Sequence, residues 1–257
     1  MIGVFDSGLG GLSVLAALVD ALPHADFCYH ADTAHVPYGE KSDAFIQART
    51  IAVGNELLAR GAGMLVVACN TATAAAVQAL RDAHPRTPVV GVEPGIKPAA
   101  AGSASRRIAV LATEATARSA RLARLVETHA SGVEVRIVAC PGWATHVETL
   151  DLAAPALAAD VHDKVLPLLD WGADRIVLGC THYGFLKPIL SPLTVGRAEL
   201  VEVADAVARQ AQRLAGKAAE GGGELRLLAS ANPERLHAAL PALGLRRLAA
   251  RLAQTPA

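Results

Sequence analysis

The sequence has no surplus of charge of either sign. Lys and Arg together number 24 and Asp and Glu number 24, so no net field draws the molecule to nucleic acid or to an anionic membrane. No uninterrupted apolar run reaches the roughly 18 residues that a membrane span needs. The opening segment, Met1-Ile2-Gly3-Val4-Phe5-Asp6, lacks the basic region of a signal peptide. A cytoplasmic protein without a membrane or nucleic-acid partner is the expectation. Cysteine is scarce too: Cys28, Cys69, Cys140 and Cys180 are too few and too widely spaced for a disulfide framework, and none forms a C-x-x-C pair. They read as free thiols, reactive or buried. Apolar material is abundant, at 52% of 257 residues, enough for one large core or two modest ones.

Short apolar runs ending in small or polar residues recur at 1–5, 27–30, 64–68, 89–92, 108–111, 135–139, 176–179 and 200–203. Between most of them lie Ala/Leu-rich stretches with helical spacing, among them 12–22, 44–60 and 154–171. The alternation predicts an α/β fold with mainly parallel sheets. In such sheets ligand-binding groups gather just past the carboxyl ends of the strands, so the polar residues after each run matter most.

The chain also repeats itself. Gly61-Ala62-Gly63-Met64-Leu65-Val66-Val67-Ala68-Cys69-Asn70-Thr71 aligns without gaps on Gly172-Ala173-Asp174-Arg175-Ile176-Val177-Leu178-Gly179-Cys180-Thr181-His182, an offset of 111 residues between Cys69 and Cys180. A similar offset brings residues 2–7 (Ile-Gly-Val-Phe-Asp-Ser) onto 108–113 (Ile-Ala-Val-Leu-Ala-Thr). The period is too long for a solenoid and predicts two pseudo-symmetric α/β domains with a site in the cleft between them. The first comprises residues 1–96 with 206–257 and the second 97–205, the crossover lying near Pro94-Gly95 and the tail returning to pack on the first.

Cys69 follows a buried-looking strand and precedes Asn70-Thr71, good helix-capping residues, so its thiol sits near a helix N-terminus, where the thiolate is favoured. A single strand-end cysteine is as readily a small buried hydrophobe; recurrence of the arrangement at Cys180 changes the weighting. Two such domains face to face present one thiol from each side of a cleft. Inverting a stereocentre by proton transfer needs a base on one face and an acid on the other, and a thiol/thiolate pair supplies both. Cysteine-based acyl transfer leaves the second cysteine unexplained. Asp6, at a strand end, can orient a nearby thiol or accept its proton, and Gly8-Leu9-Gly10-Gly11 opens a helix whose N–H groups could bind a carboxylate, although a plain tight turn reads the same way. Asp32 with Pro37-Tyr38-Gly39 reads as a polar loop. His182 lies within reach of the Cys180 sulfur.

Asp6-Ser7-Gly8, Pro37-Tyr38-Gly39, Cys69-Asn70-Thr71-Ala72, Gly91-Val92-Glu93-Pro94, Thr113 through Thr116 to Ser119, Glu148 and Cys180-Thr181-His182-Tyr183 together, in order and spacing, resemble bacterial glutamate racemases. The resemblance implies interconversion of L- and D-glutamate without pyridoxal phosphate or metal, for peptidoglycan, with a homodimer one possible assembly. It implies that Cys69, assisted by Asp6, takes the α-proton of D-glutamate. Cys180, assisted by His182 and Glu148, takes that of L-glutamate. Ser7, Pro37, Tyr38, Gly39, Asn70, Thr71, Thr113, Thr116 and Thr181 would join these residues in holding the substrate. His35 departs from the family's common arginine, Gly184 from its usual proline, and the segment before Glu148 is atypical. A racemase of aspartate, a Cys180/His182 amidase and a non-catalytic binding protein are the competing readings.

Overall fold

The computed structural model describes residues 1–254; the last three residues of the tail lie outside the described residues. Among the described residues nine strands form two sheets: β1 (Ile2–Asp6), β2 (Phe27–Ala31), β3 (Met64–Val67), β4 (Val89–Gly91), β5 (Arg107–Ala112), β6 (Glu134–Ala139), β7 (Arg175–Leu178), β8 (Glu199–Val201) and β9 (Leu225–Ala229). The first sheet runs β4-β3-β1-β2-β9 and the second β6-β5-β7-β8, all neighbours parallel. Read from β8, the second sheet repeats the order of the first without β9. The fold is therefore α/β with two mainly parallel sheets, as the alternation predicts. β1, β2 and β3 are buried along their whole length because helices cover both faces, which is why they read as unbroken apolar runs.

The repeat extends to the backbone. Gly61 and Gly172, one turn before β3 and β7, both have φ of +93°, a left-handed conformation that glycine enters without steric cost. Cys69 (φ −129°, ψ 119°) and Cys180 (φ −140°, ψ 135°) leave their strands in nearly the same way. They then diverge: the α-helix Asn70–Ala83 follows Cys69, whereas a 3₁₀ stretch, Thr181–Leu186, precedes the helix Lys187–Thr194 after Cys180.

Residues beyond β8 pack on the first sheet. Val207, Ala208 and Ala211 of the helix Ala204–Leu214 share a core with Leu12, Leu15 and Leu18 of the helix Leu12–Ala21, and Leu236 and Leu248 extend it. β9 lies outside the apolar runs named above. It is a five-residue edge strand with Arg226 exposed, so its hydrophobic signal is interrupted.

In both sheets the chain winds outward in opposite directions from one strand, β1 or β5, and the reversal lies between β1 and β3 and between β5 and β7. Such switch points open a crevice beyond the carboxyl ends of the strands. Asp6 ends β1, Cys69 stands two residues past β3, Thr113 follows β5 and Cys180 stands two residues past β7.

Candidate active site

Asp6 is fully buried; its Oδ2 accepts the N–H groups of Gly8 at 3.2 Å and Gly11 at 2.8 Å. Its Oδ1 has no partner among the described residues. Tyr29, fully buried beneath the glycine turn, donates its hydroxyl to the Gly8 carbonyl at 2.5 Å. The N–H groups of Gly8, Leu9 and Gly11 are thus taken by protein carboxylates, since Leu9 N–H donates to Glu148 Oε1 at 2.6 Å. Cys69 itself caps its helix, its sulfur accepting Ala72 N–H at 3.5 Å, in place of the Asn70 or Thr71 cap expected from sequence. The Cys69 thiol faces Ser7 Oγ at 3.7 Å. The expected pull toward thiolate is overturned: burial pushes the Cys69 thiol well above its ordinary value and the Asp6 charge adds to it, against the lowering by Ala72 N–H. Burial also raises the Asp6 carboxyl, outweighing His182 and the Gly8 and Gly11 N–H groups.

On the other side, Cys180 Sγ lies 3.6 Å from His182 Nδ1, and His182 Nε2 lies 2.6 Å from Glu148 Oε1. Glu148, the last residue of the helix Trp143–Glu148, thereby holds an imidazole of the second sheet and a backbone N–H of the first. Burial by itself would lower the His182 pKa, but Cys180 and Glu148 together hold it well above the ordinary value. Tyr183 anchors the turn behind it, fully buried, with its hydroxyl donating to Cys140 O at 3.0 Å and its ring edge-on to Trp143.

Ser7, Asn70, Thr71, Thr113, Thr116 and Thr181 are all buried. Asn70 Nδ2 and Thr181 Oγ1 have no hydrogen-bond partner among the described residues. Buried polar groups are satisfied as a rule, so together with Asp6 Oδ1 they mark where a polar ligand would be held. Thr71 joins the halves, its hydroxyl 3.0 Å from that of Thr113, which donates to Thr116 Oγ1 at 3.1 Å. Pro37, Tyr38 and Gly39 lie against this trio: a Cβ on Gly39 would fall 2.9 Å from Thr113 Cβ. A cavity of about 20 Å³ is lined by Asn70, Cys180 and Thr181 among others. That holds a water and no amino acid.

Tyr29 and Arg49 belong to this neighbourhood without a signal in the sequence. Tyr29 looks like any core aromatic of β2, and Arg49 like a solvated position on the helix Asp43–Ala59. Among the described residues no three His, Cys, Asp or Glu side chains gather as a metal site.

Two like parallel sheets, each followed past the same strand of the repeat by one buried cysteine, define an α/β protein with internal pseudo-symmetry. The chain belongs to the Asp/Glu/hydantoin racemase family, whose sequence profile matches residues 2–213. It is 46% identical over 246 residues to a glutamate racemase of Ectopseudomonas mendocina, covering 94% of each chain. Among solved structures it is similar to a glutamate racemase isoform of Bacillus anthracis, at 29% identity and a TM-score of 0.83 over 95% of this chain and 94% of that one. It is also similar to the Escherichia coli glutamate racemase in complex with L-glutamate and the activator UDP-MurNAc-Ala, at 31% identity and a TM-score of 0.75 over 96% and 94%.

Proposed function

We propose that the protein interconverts L- and D-glutamate by proton transfer at Cα between two thiols, supplying D-glutamate for peptidoglycan in the cytoplasm. The observation that carries this reading is the placement of one buried cysteine at the switch point of each repeated sheet. Similarity to glutamate racemases over nearly the whole chain supports glutamate as the substrate. Residues 1–96 with 206–257 would form one domain and 97–205 the other, β9 pairing with β2 in support of the tail's assignment.

From L-glutamate, the Cys180 thiolate takes the α-proton with the His182 imidazolium as its counter-charge. The Cys69 thiol, which burial keeps protonated, gives its proton to the opposite face, leaving D-glutamate, a Cys180 thiol and a Cys69 thiolate. The reverse reaction exchanges the roles, with Asp6 beside Cys69. Asp6 Oδ1 and the Asn70 and Thr181 groups left without partners would take the α-ammonium and carboxylate; Ser7, the threonine trio and the 37–39 loop would complete the shell. This chemistry needs neither pyridoxal phosphate nor a metal.

Cys69→Ala and Cys180→Ala should each abolish racemisation in both directions, because every turnover uses one thiolate and one thiol. Circular dichroism at fixed concentrations of each enantiomer measures it. A folded single variant that kept more than about 1% of the wild-type rate would remove that cysteine from the mechanism. The Cys180–His182–Glu148 chain favours a second reading, a thiol amidase, for which ammonia release from glutamine without any optical inversion would be the signature.

No helix among the described residues is long and apolar enough to cross a membrane.

A further inference from the structure

Beyond the reacting thiols, one fully buried carboxylate gathers more partners than any fold-building role requires. Asp32 follows β2, and its own N–H donates to the Asp6 carbonyl at 3.0 Å, so it sits directly beside the catalytic strand end. Tyr38 donates its hydroxyl to Asp32 Oδ2 at 2.6 Å. Arg49 grips both oxygens, Nε to Oδ2 at 2.9 Å and Nη2 to Oδ1 at 2.8 Å, and His35 Nδ1 stands 3.1 Å from Oδ1. The loop between Asp32 and Tyr38 is tied at its other side to the end of β9: Thr33 Oγ1 donates to Ala231 O at 2.5 Å and Ala34 N–H to Ser230 Oγ at 2.9 Å. Gly39, next to Tyr38, then lies against Thr113: a Cβ there would fall 2.9 Å from Thr113 Cβ.

We propose that Asp32 is a positioning residue for substrate binding: through the Tyr38 hydroxyl, with Arg49 as its clamp, it fixes the 37–39 loop against the threonine trio of the opposite half. The proposal rests on the reading of that loop as part of the substrate shell. A bidentate Arg–carboxylate pair fixes orientation as well as distance, and a bond from its second lone pairs to a tyrosine turns that rigidity into a fixed loop. Without the Asp32 charge the loop would still form, since Phe5, Tyr38 and Phe45 pack their rings together, but its register against Thr113 would loosen. The reacting thiols lie on other elements and keep their geometry. The loss is therefore one of ground-state and transition-state binding alike, which appears in KM rather than kcat.

The test is steady-state kinetics from both enantiomers on Asp32→Asn, Arg49→Lys and Tyr38→Phe, with Leu248→Ala as a buried control in the tail helix Arg246–Gln254. Asp32→Asn should raise KM for L- and D-glutamate by about tenfold or more with kcat within about threefold. Arg49→Lys, which keeps the charge and loses the fork, should move KM in the same direction by less, as should Tyr38→Phe. Leu248→Ala should lower the melting temperature with KM unchanged, so lost stability alone does not reproduce the effect. Wild-type KM values in folded Asp32→Asn, or in Arg49→Lys if the first variant does not fold, would overturn the proposal. Failure of the glutamate reading is distinguishable, because the wild-type protein would then show no inversion at all.

Discussion

At the scale of single residues, Glu148 does the work of two. Its Oε1 meets both His182 Nε2 and Leu9 N–H at 2.6 Å, so one carboxylate keeps the imidazole charged and closes the glycine turn over it. Against the lowering by burial, Cys180 and Glu148 raise the His182 pKa, so this imidazole keeps its proton to higher pH than a free one does. Replacing Glu148 with Gln removes the counter-charge, so the proton should leave at lower pH. The expected outcome is a pH profile of kcat/KM whose alkaline limb moves toward neutrality, with the rate at the optimum reduced about tenfold or more. Because enantiomers have equal free energies, kcat/KM must fall equally in both directions. An alkaline limb that stays where it is in Glu148→Gln would show that another group titrates there.

At the scale of elements, the turn Gly8–Gly11 explains itself by what it touches. A Cβ on Gly8 would fall 2.0 Å from Glu148 Oε1, and one on Gly10 would fall 2.3 Å from His182 Nδ1 and 2.6 Å from Thr181 Oγ1. Glycine is required because side chains of the second half press against this backbone when the cleft closes. Gly10→Ala should therefore fold, since Gly10 has no left-handed backbone, yet fail to close fully. We expect a fall of about 100-fold in kcat, the scale on which ångström displacements act, with a melting temperature close to wild type. Undiminished kcat would mean that the closed contact is not made during turnover.

The same turn shows what the sequence could and could not reveal. Its glycines are visible as a turn, but the reason for them lies 139 residues away at Glu148, a separation that local periodicity does not span. The strand ends are legible because a buried parallel strand must be apolar and its end must not be, and the repeat is legible because two copies keep the same strand–Cys–polar order. The Cys69 environment is not: proximity to a helix N-terminus argues for thiolate, and only the complete burial seen in three dimensions reverses the sign. Arg49 is hidden for a related reason, since a cation on a half-exposed helix looks solvated until its partner Asp32 appears beneath it.

At the scale of the whole molecule, the halves meet through few polar contacts: Thr71 with Thr113, Leu9 N–H with Glu148, Ser13 Oγ with the Thr181 carbonyl at 3.4 Å, Arg121 with Glu93 and Arg235 with the Glu148 carbonyl at 3.2 Å. The cavity lined by Asn70, Cys180 and Thr181 is too small for glutamate, and on the proposed reading these contacts part to admit the substrate and re-form around it. On that reading closure would also dry the site and protect a carbanionic intermediate from solvent protons. The pseudo-symmetry would likewise give each enantiomer an equivalent approach on the proposed reading, one thiol on either face of Cα.

Isotope flow tests this two-faced geometry most directly. The enzyme, equilibrated in deuterated water so that both thiols carry deuterium when protonated, is given protiated L-glutamate, and both enantiomers are separated and weighed by mass spectrometry within the first few per cent of conversion. Cys180 removes the original proton on one face and Cys69 delivers deuterium on the other, so newly formed D-glutamate should carry deuterium at Cα while recovered L-glutamate stays largely protiated. A single base serving both faces would hand the substrate's own proton to the product, and appreciable protium at Cα of the first D-glutamate formed would contradict the two-thiol account.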